Sequence, residues 1–336
     1  MARFLLLFIL ALPLVAAEPR VSNAKLEWRS AAAGLEKEFR TLVESQAGPA
    51  WIGYAAPLVP GRHQMCCFNS GAVAAKGASL DAAADGGSCC GGCSLEGSKT
   101  VSTSAEIRNP VKLEGPAEML VLFRVEQKKV EKVRTFTEEC ELDAGGLPFY
   151  WLTDARPAES VALLASFATA AEGDTREGRR LSEGALSALA LHGDPAADRA
   201  LEGFVAPSQP EKLRERTAFW LGVARGRRGY EVLLRMARHD PSAHVRGQAL
   251  FWLAHKAGRK AAEAITQAIE QDPETEVKKR AVFALSQLPK DEGVPLLIQV
   301  ARTNRNPAVR KQAFFWLGQS RDPRALAFLE EVLTKP

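Results

Sequence analysis

The segment VRGQALFWL, residues 245–253, recurs every 32 residues and decides the fold of the C-terminal half. Its in-phase copies are LRERTAFWL from Leu213, VKKRAVFAL from Val277, VRKQAFFWL from Val309 and a weaker LSEGALSAL from Leu181. A second set recurs with the same period at Leu201, Leu233, Ile265, Leu297 and Leu329. A fixed period of this size is typical of arrays in which each unit buries its apolar face against its neighbours. We therefore predict a repeat array over residues 181–336.

Each unit is predicted to be a pair of helices joined by a short turn. Val245, Ala249, Trp252 and Leu253 form one helical stripe, which places Trp252 in the core. A second apolar stripe, residues 230–237, follows the glycine-containing segment 225–229. Asp-Pro at 240–241 and 272–273, and Asn-Pro at 306–307, precede the next first helix, where a capping side chain followed by proline is favourable.

The two-helix unit, its Val-Arg-x-x-Ala-x-x-x-Leu first helix and its Asp-Pro linker resemble HEAT repeats, of the short kind shared with phycobilisome-lyase-like proteins. The resemblance covers roughly residues 181–336 and departs at Ala284, which replaces the tryptophan of three other copies. It implies a right-handed α-solenoid that serves as a scaffold for protein binding. Lyase activity on phycobiliproteins is not expected, because export would separate this chain from cytoplasmic targets.

The first 17 residues are predicted to be a signal peptide. Arg3 precedes an apolar run from Phe4 to Val15, and Val15-Ala16-Ala17 offers small residues for cleavage. The run is short for a membrane span, so the mature chain is expected to begin near Glu18 and to be periplasmic or secreted, without stable membrane insertion. The formal net charge of +4 is too small to indicate nucleic acid binding.

A small α+β domain is predicted over residues 18–145, followed by a junction, 146–180, whose residues 160–167 form a leading helix. Residues 24–46 carry apolar side chains at helical spacing and are interpreted as one amphipathic helix. Extended runs follow at 51–54, 119–125 and 130–136, and the last two are predicted to form a hairpin with a buried central strand. The glycine-rich stretch 71–99 is predicted to be a loop.

All six cysteines lie in this domain. They are Cys66, Cys67, Cys89, Cys90, Cys93 and Cys140. An even number of cysteines in an exported chain favours disulfides, with the first pair joined to the cluster at 89–93. Two alternatives remain open. His63, Cys66, Cys90 and Cys93 have spacing that suits a zinc site, and Cys90-Gly-Gly-Cys93 has the spacing of a redox-active pair.

No catalytic motif occurs in the sequence, so we expect a non-enzymatic protein without a cofactor. The five histidines, His63, His192, His239, His244 and His255, lack the His-Glu pairs of a HEAT-fold di-iron hydroxylase. Those near linkers are interpreted as solvated loop residues.

Three sets of in-phase side chains are candidates for partner binding. The first helices carry a basic ladder, Arg214, Arg246, Lys278 and Arg310, and a phenylalanine ladder, Phe219, Phe251, Phe283 and Phe315. The favoured interpretations are ion pairs with the linker residues Asp240 and Asp272 for the basic ladder and packing against adjacent units for the phenylalanines. The resemblance to HEAT arrays implies that the second helices line the inner curve, so the candidate partner surface is assigned to their positions opposite the stripe, which include Arg235, Arg238, Glu263, Gln267, Gln299 and Arg302.

Overall fold

A computed structural model describes residues 18–61, 65, 93–96, 116–170 and 175–334 of the 336-residue chain. The chain divides into two compact units, of which the first comprises Met1–Ala56, Gly61–Val130 and Thr135–Arg156 and the second Pro57–Pro60, Glu131–Arg134 and Pro157–Pro336. The predicted signal peptide and most of the predicted loop at 71–99 lie outside the described residues. Of the described helices, none has the length and hydropathy needed to span a membrane.

The first unit contains two described sheets and one helix. Its elements are β1 (Arg20–Ser22), β2 (Lys25–Ser30), α1 (Leu35–Ser45), β3 (Ala50–Pro57), β4 (Cys93–Ser94), β5 (Glu118–Glu126), β6 (Lys129–Thr137), β7 (Glu141–Asp143) and β8 (Pro148–Thr153). The larger sheet has the order β2-β8-β3-β5-β6, and the smaller one β1-β7-β4. Strand β8 is parallel to both β2 and β3, with Trp151 opposite Trp28 on one side and Gly53 on the other.

The hairpin predicted within this unit is confirmed. Strands β5 and β6 are joined at Gln127 and Lys128, whose φ angles of 50° and 59° are those of the turn that matches strand twist. Every residue from Met119 to Val125 is buried, as expected for a central strand. The one charged residue there, Arg124, is accommodated because its Nε donates to Glu96 Oε1 at 2.7 Å and its Nη2 to Glu96 Oε2 at 3.0 Å.

Two expectations about the first unit are corrected. The helix predicted over 24–46 begins only at Leu35, because residues Lys25–Ser30 pair with β8. The predicted junction at 146–180 is not a linker, because it contributes β8, which lies between β2 and β3 in the larger sheet. The leading helix is confirmed as α2 (Pro157–Ala170), which belongs to the second unit.

The second unit is an α-solenoid of five helix pairs, as predicted. The first helices are α3 (Arg176–Leu191), α5 (Glu211–Ala224), α7 (Ala243–Ala257), α9 (Thr275–Ser286) and α11 (Pro307–Gln319). The second helices are α4 (Pro195–Phe204), α6 (Gly226–His239), α8 (Ala262–Gln271), α10 (Lys290–Thr303) and α12 (Pro323–Thr334). Gly226 and Gly258 both have φ of 47°, so the turn between the helices uses a left-handed glycine in two units.

The core stripe of the first helices differs from the predicted one at one position. Val245, Ala249 and Leu253 are buried as predicted, but Leu250 completes the stripe in place of Trp252, which is only half-buried. The burial of Leu250 rotates the centre of the apolar face away from Trp252. The tryptophan packs instead across the boundary between units, where its Cβ lies close to Gly222 of the preceding first helix.

The start of each second helix carries a small buried residue in phase with the repeat. These residues are Ala197, Gly229, Ala261, Gly293 and Ala325. A Cβ on Gly229 would lie 2.0 Å from the carbonyl oxygen of Leu221, and one on Gly293 would lie 2.5 Å from that of Leu285. The two helices of a unit therefore approach at the backbone, which fixes how the second helix leaves the first.

Candidate functional site

Two residues of the basic ladder, Arg214 and Arg246, form ion pairs within the array. The guanidinium of Arg214 binds the carboxylate of Asp240 through two hydrogen bonds, of 2.8 and 3.0 Å. Arg246 binds Asp272 in the same way, at 2.7 and 3.1 Å. Both arginines are buried, so they cannot serve as an exposed partner surface. This confirms the ion-pair interpretation for these two positions.

The other two ladder positions follow a different arrangement. Lys278 donates from Nζ to the carbonyl of Glu270 at 3.0 Å, and the residue in phase with Asp240 and Asp272 in the next linker is Asn304. Arg310 donates from Nη1 to the carbonyl of Asn304 at 2.8 Å. The position 26 residues after the ladder residue is therefore an aspartate for Arg214 and Arg246 and an asparagine for Lys278.

The linker aspartates do not cap the next first helix, which corrects the sequence interpretation. Asp240 and Asp272 follow the last residues of α6 and α8, and α7 is capped by Ser242. Their carboxylates are instead held by arginines of the preceding first helix. Only Asn306 behaves as predicted, because its side chain accepts from the N–H of Ala308 at the start of α11.

The phenylalanine ladder also packs between units. The Phe219 ring lies 4.8 Å from the Trp252 ring, Phe251 lies 5.6 Å from Phe283, and Phe283 lies 4.8 Å from Trp316, between centroids. Phe315, at the last in-phase position, is 53% exposed. The packing interpretation is confirmed for the first three phenylalanines.

A groove lies over the second helices of three successive units. Its volume is about 780 Å³, and it is lined by the end of α6, by α8 along its length and by the first half of α10. Helix α8 has 10 residues, whereas α6 and α10 each have 14. An adjoining cavity of about 360 Å³ continues between α8 and α10 towards the linker at 303–306.

Four of the six predicted partner residues line the groove or the adjoining cavity. Arg238, Glu263 and Gln267 line the groove, and Gln299 lines the adjoining cavity. Arg235 and Arg302 lie on the same helices but outside both cavities. They form ion pairs with Glu202 at 3.6 Å and Glu331 at 2.6 Å, respectively. Glu270, another position that the sequence places on the face opposite the stripe, also lines the groove, whereas sequence reasoning missed Asp291 and Glu292.

His192 is a buried titratable side chain at the end of α3. Its pKa is lowered to about 4, chiefly by burial, while Asp194 opposes the shift and Arg225 adds to it. Nδ1 accepts from the backbone N–H of Asp194 at 3.1 Å, so Nε2 carries the proton and donates to Ser160 Oγ, also at 3.1 Å. Both ring nitrogens are engaged, and the ring therefore holds the α3–α4 turn rather than activating Ser160.

The cysteine cluster is only partly within the described residues. Cys93 and Cys140 are buried, and their sulfurs are disulfide-bonded in the structure. A sulfur in a disulfide offers no thiolate to a metal, so Cys93 in this state does not suit the alternative zinc set. His63, Cys66, Cys67, Cys89 and Cys90 lie outside the described residues, and the pairing scheme stays a prediction. Within the described ranges, no group of three or more His, Cys, Asp or Glu is placed to hold a metal ion.

Comparison with known families identifies the array. Residues 262–336 match the family model for HEAT repeats, and they contain α8 to α12. No curated protein matches the chain.

Solved structures that match the chain include three of different kinds. A complex of CpcE and CpcF of phycocyanin lyase from Nostoc sp. PCC7120 is 18% identical, with a TM-score of 0.34, over 43% of this chain and 92% of that one. The YibA protein of Escherichia coli is 23% identical, with a TM-score of 0.35, over 52% and 67%. Human deoxyhypusine hydroxylase is 20% identical, with a TM-score of 0.28, over 55% and 76%.

The expectation of a non-enzymatic chain stays a prediction. The family assignment rests on the match over the last 75 residues together with the five in-phase helix pairs that extend the same pattern to α3. The chain contains HEAT repeats in its C-terminal array.

Proposed function

We propose that this protein binds another protein through the second helices of its HEAT array. The observation that carries the proposal is the groove of about 780 Å³ that crosses three successive units. Stacked repeats present such extended surfaces, and several contacts repeated along an array raise the overall affinity for one partner.

The first helices are less suited to this role. Their arginines at 214 and 246 are committed to buried ion pairs, and their phenylalanines at 219, 251 and 283 pack against rings of neighbouring units. Most of the side chains that line the groove are polar, which suits a partner that associates and dissociates. The role is that of a scaffold rather than of an enzyme.

A photo-crosslinking amino acid placed at Gln267 or Gln299 is expected to form adducts with a partner protein in the native host. Both side chains line the cavities of the second-helix surface. The matched control is the same amino acid at Lys311, an exposed residue of the first helix α11. Mass spectrometry of the adducts identifies the partner. Adducts at Lys311 with none at Gln267 or Gln299 would contradict the proposal and place binding on the first helices.

The second part of the proposal is that the protein works outside the cytoplasm, with its cysteines oxidised. The support is the charged and apolar N-terminal segment and the even number of cysteines. The mature protein is expected to begin near Glu18 and to carry few or no free thiols. Intact mass before and after alkylation under denaturing, non-reducing conditions measures both. Six alkylated cysteines, or stoichiometric zinc in the native mass, would support the metal or redox alternative instead.

A further inference from the structure

Glu263 and Glu270 stand apart from the neighbouring charged residues of the second helices. In the described part of the chain, neither of their carboxylates has an ion-pair partner. By contrast, Glu202 on α4 binds Arg228 at 2.7 Å, and Arg302 on α10 binds Glu331 at 2.6 Å. The central helix of the groove therefore exposes negative charge that the array itself does not neutralise.

The rest of the groove adds to this negative charge. Asp291 and Glu292 line its α10 side, where a single guanidinium, that of Arg259, reaches them at 3.0 and 3.4 Å. Arg238 is the one basic residue among the lining side chains, against four carboxylates. The adjoining cavity carries Lys278 and Arg305 beside Glu270, so three of the four carboxylates line the larger groove alone.

The groove also offers uncharged acceptors and an apolar wall. Pro295 lies inside α10 and has no N–H, so the carbonyl of Asp291 lacks its usual helical donor four residues later. Gln267, which lies between the two glutamates in α8, donates to Gln271 at 3.1 Å. Leu296 and Pro295 supply apolar surface on the opposite side. This combination suits a long side chain with an apolar stem and several N–H donors.

The spacing of the two glutamates restricts the ligand further. Seven residues of α-helix span about 10 Å along the axis. An extended polyproline-type segment rises about 3 Å per residue and returns to the same face every third residue, so side chains three positions apart are about 9 Å apart. Two basic residues with that separation match the two carboxylates.

We propose that this groove binds an extended basic segment of the partner, with two Arg or Lys residues three positions apart facing Glu263 and Glu270. The proposal rests on the proposed function and specifies the chemistry of the segment that is bound. Electrostatic complementarity of this kind selects the partner and speeds association.

The test uses the full-length protein and short fluorescent peptides that contain Arg-Pro-Pro-Arg or Glu-Pro-Pro-Glu. Fluorescence anisotropy should show binding of the arginine peptide that weakens as ionic strength rises, and no binding of the glutamate peptide. The double variant Glu263→Gln, Glu270→Gln should weaken binding about tenfold, because two charge pairs are lost.

The matched control is the double variant Glu211→Gln, Glu276→Gln, which removes two exposed carboxylates from the first helices. It should change binding by less than about twofold, because remote charges are screened. All variants should melt at the same temperature as the parent, since the four side chains are exposed.

Failure of the arginine peptide to bind, or equal loss in both double variants, would overturn the basic-segment proposal. The crosslinking experiment separates this failure from failure of the proposed function. Adducts at Gln267 whose partner segment contains no basic residues would keep the partner surface and reject its proposed chemistry. Adducts to a segment with basic residues three positions apart would support both.

Discussion

Replacement of Asp240 by alanine is expected to lower the free energy of unfolding by about 3–5 kcal/mol, because it leaves a buried guanidinium without its carboxylate. The side chains of Arg214 and Asp240 are 6% and 2% exposed, respectively. Asp240 also accepts from the N–H of Ser242 at 2.8 Å, so the same carboxylate shapes the linker to α7. Chemical denaturation followed by far-UV circular dichroism measures the change, and the melting temperature should fall by on the order of 10 °C.

The control for this prediction is an exposed ion pair of similar chemistry. Glu231 binds Arg227 at 3.1 Å on the surface of α6, where the arginine side chain is 93% exposed. Glu231→Gln should change stability by less than about 0.5 kcal/mol. The double variant Arg214→Met, Asp240→Leu should recover much of the loss, because replacing a whole buried pair by apolar residues is often neutral. If Asp240→Ala unfolded at the parent denaturant concentration, the linker pair would have no structural role.

The repeat period predicted the helix pairs because in-phase residues occupy the same environment in every unit. The same reasoning placed Trp252 wrongly, because a single apolar stripe describes a helix with one buried side. A first helix of the array contacts its own second helix and two neighbouring first helices. The burial of Leu250 shows this second contact. The small residues at 197, 229, 261, 293 and 325 share the same period, but a pattern of large apolar side chains does not predict the close backbone contact that requires them.

The place of a strand in its sheet and the partner of a buried charge depend on residues far away in the sequence, which local patterns do not predict. Strand β8 follows Gly145-Gly146 and is rich in aromatic residues, yet its place between β2 and β3 is set by partners about 100 residues away. The linker aspartates looked like helix caps because Asp-Pro favours that position, and their buried arginines became visible only in the structure. Gln267 and Glu263 were predicted from the helix face, whereas the groove around them depends on the short α8 and on Pro295 in α10.

Stability is expected to fall by about 3 kcal/mol as the pH drops from about 6.5 towards 4, because the folded protein keeps His192 uncharged. The pKa of His192 is lowered to about 4 by burial, from its usual 6.5. Above pH 6.5 the ring is neutral in both states and its full contribution is present. Between the two values the unfolded chain binds a proton that the folded chain does not, so each pH unit costs about 1.4 kcal/mol.

The variant His192→Asn isolates this effect from the titration of carboxylates. Asparagine offers an oxygen to the N–H of Asp194 but cannot take up a proton in this range, so it should be less stable at neutral pH and lose less stability on acidification. Arg225 supports the same site, since its Nη1 donates to the carbonyl of His192 at 2.8 Å and its Nε binds Asp198 at 3.0 Å. Urea midpoints at pH 7 and pH 5 should differ more for the parent than for the variant. Equal differences would show that protonation of His192 does not govern acid stability.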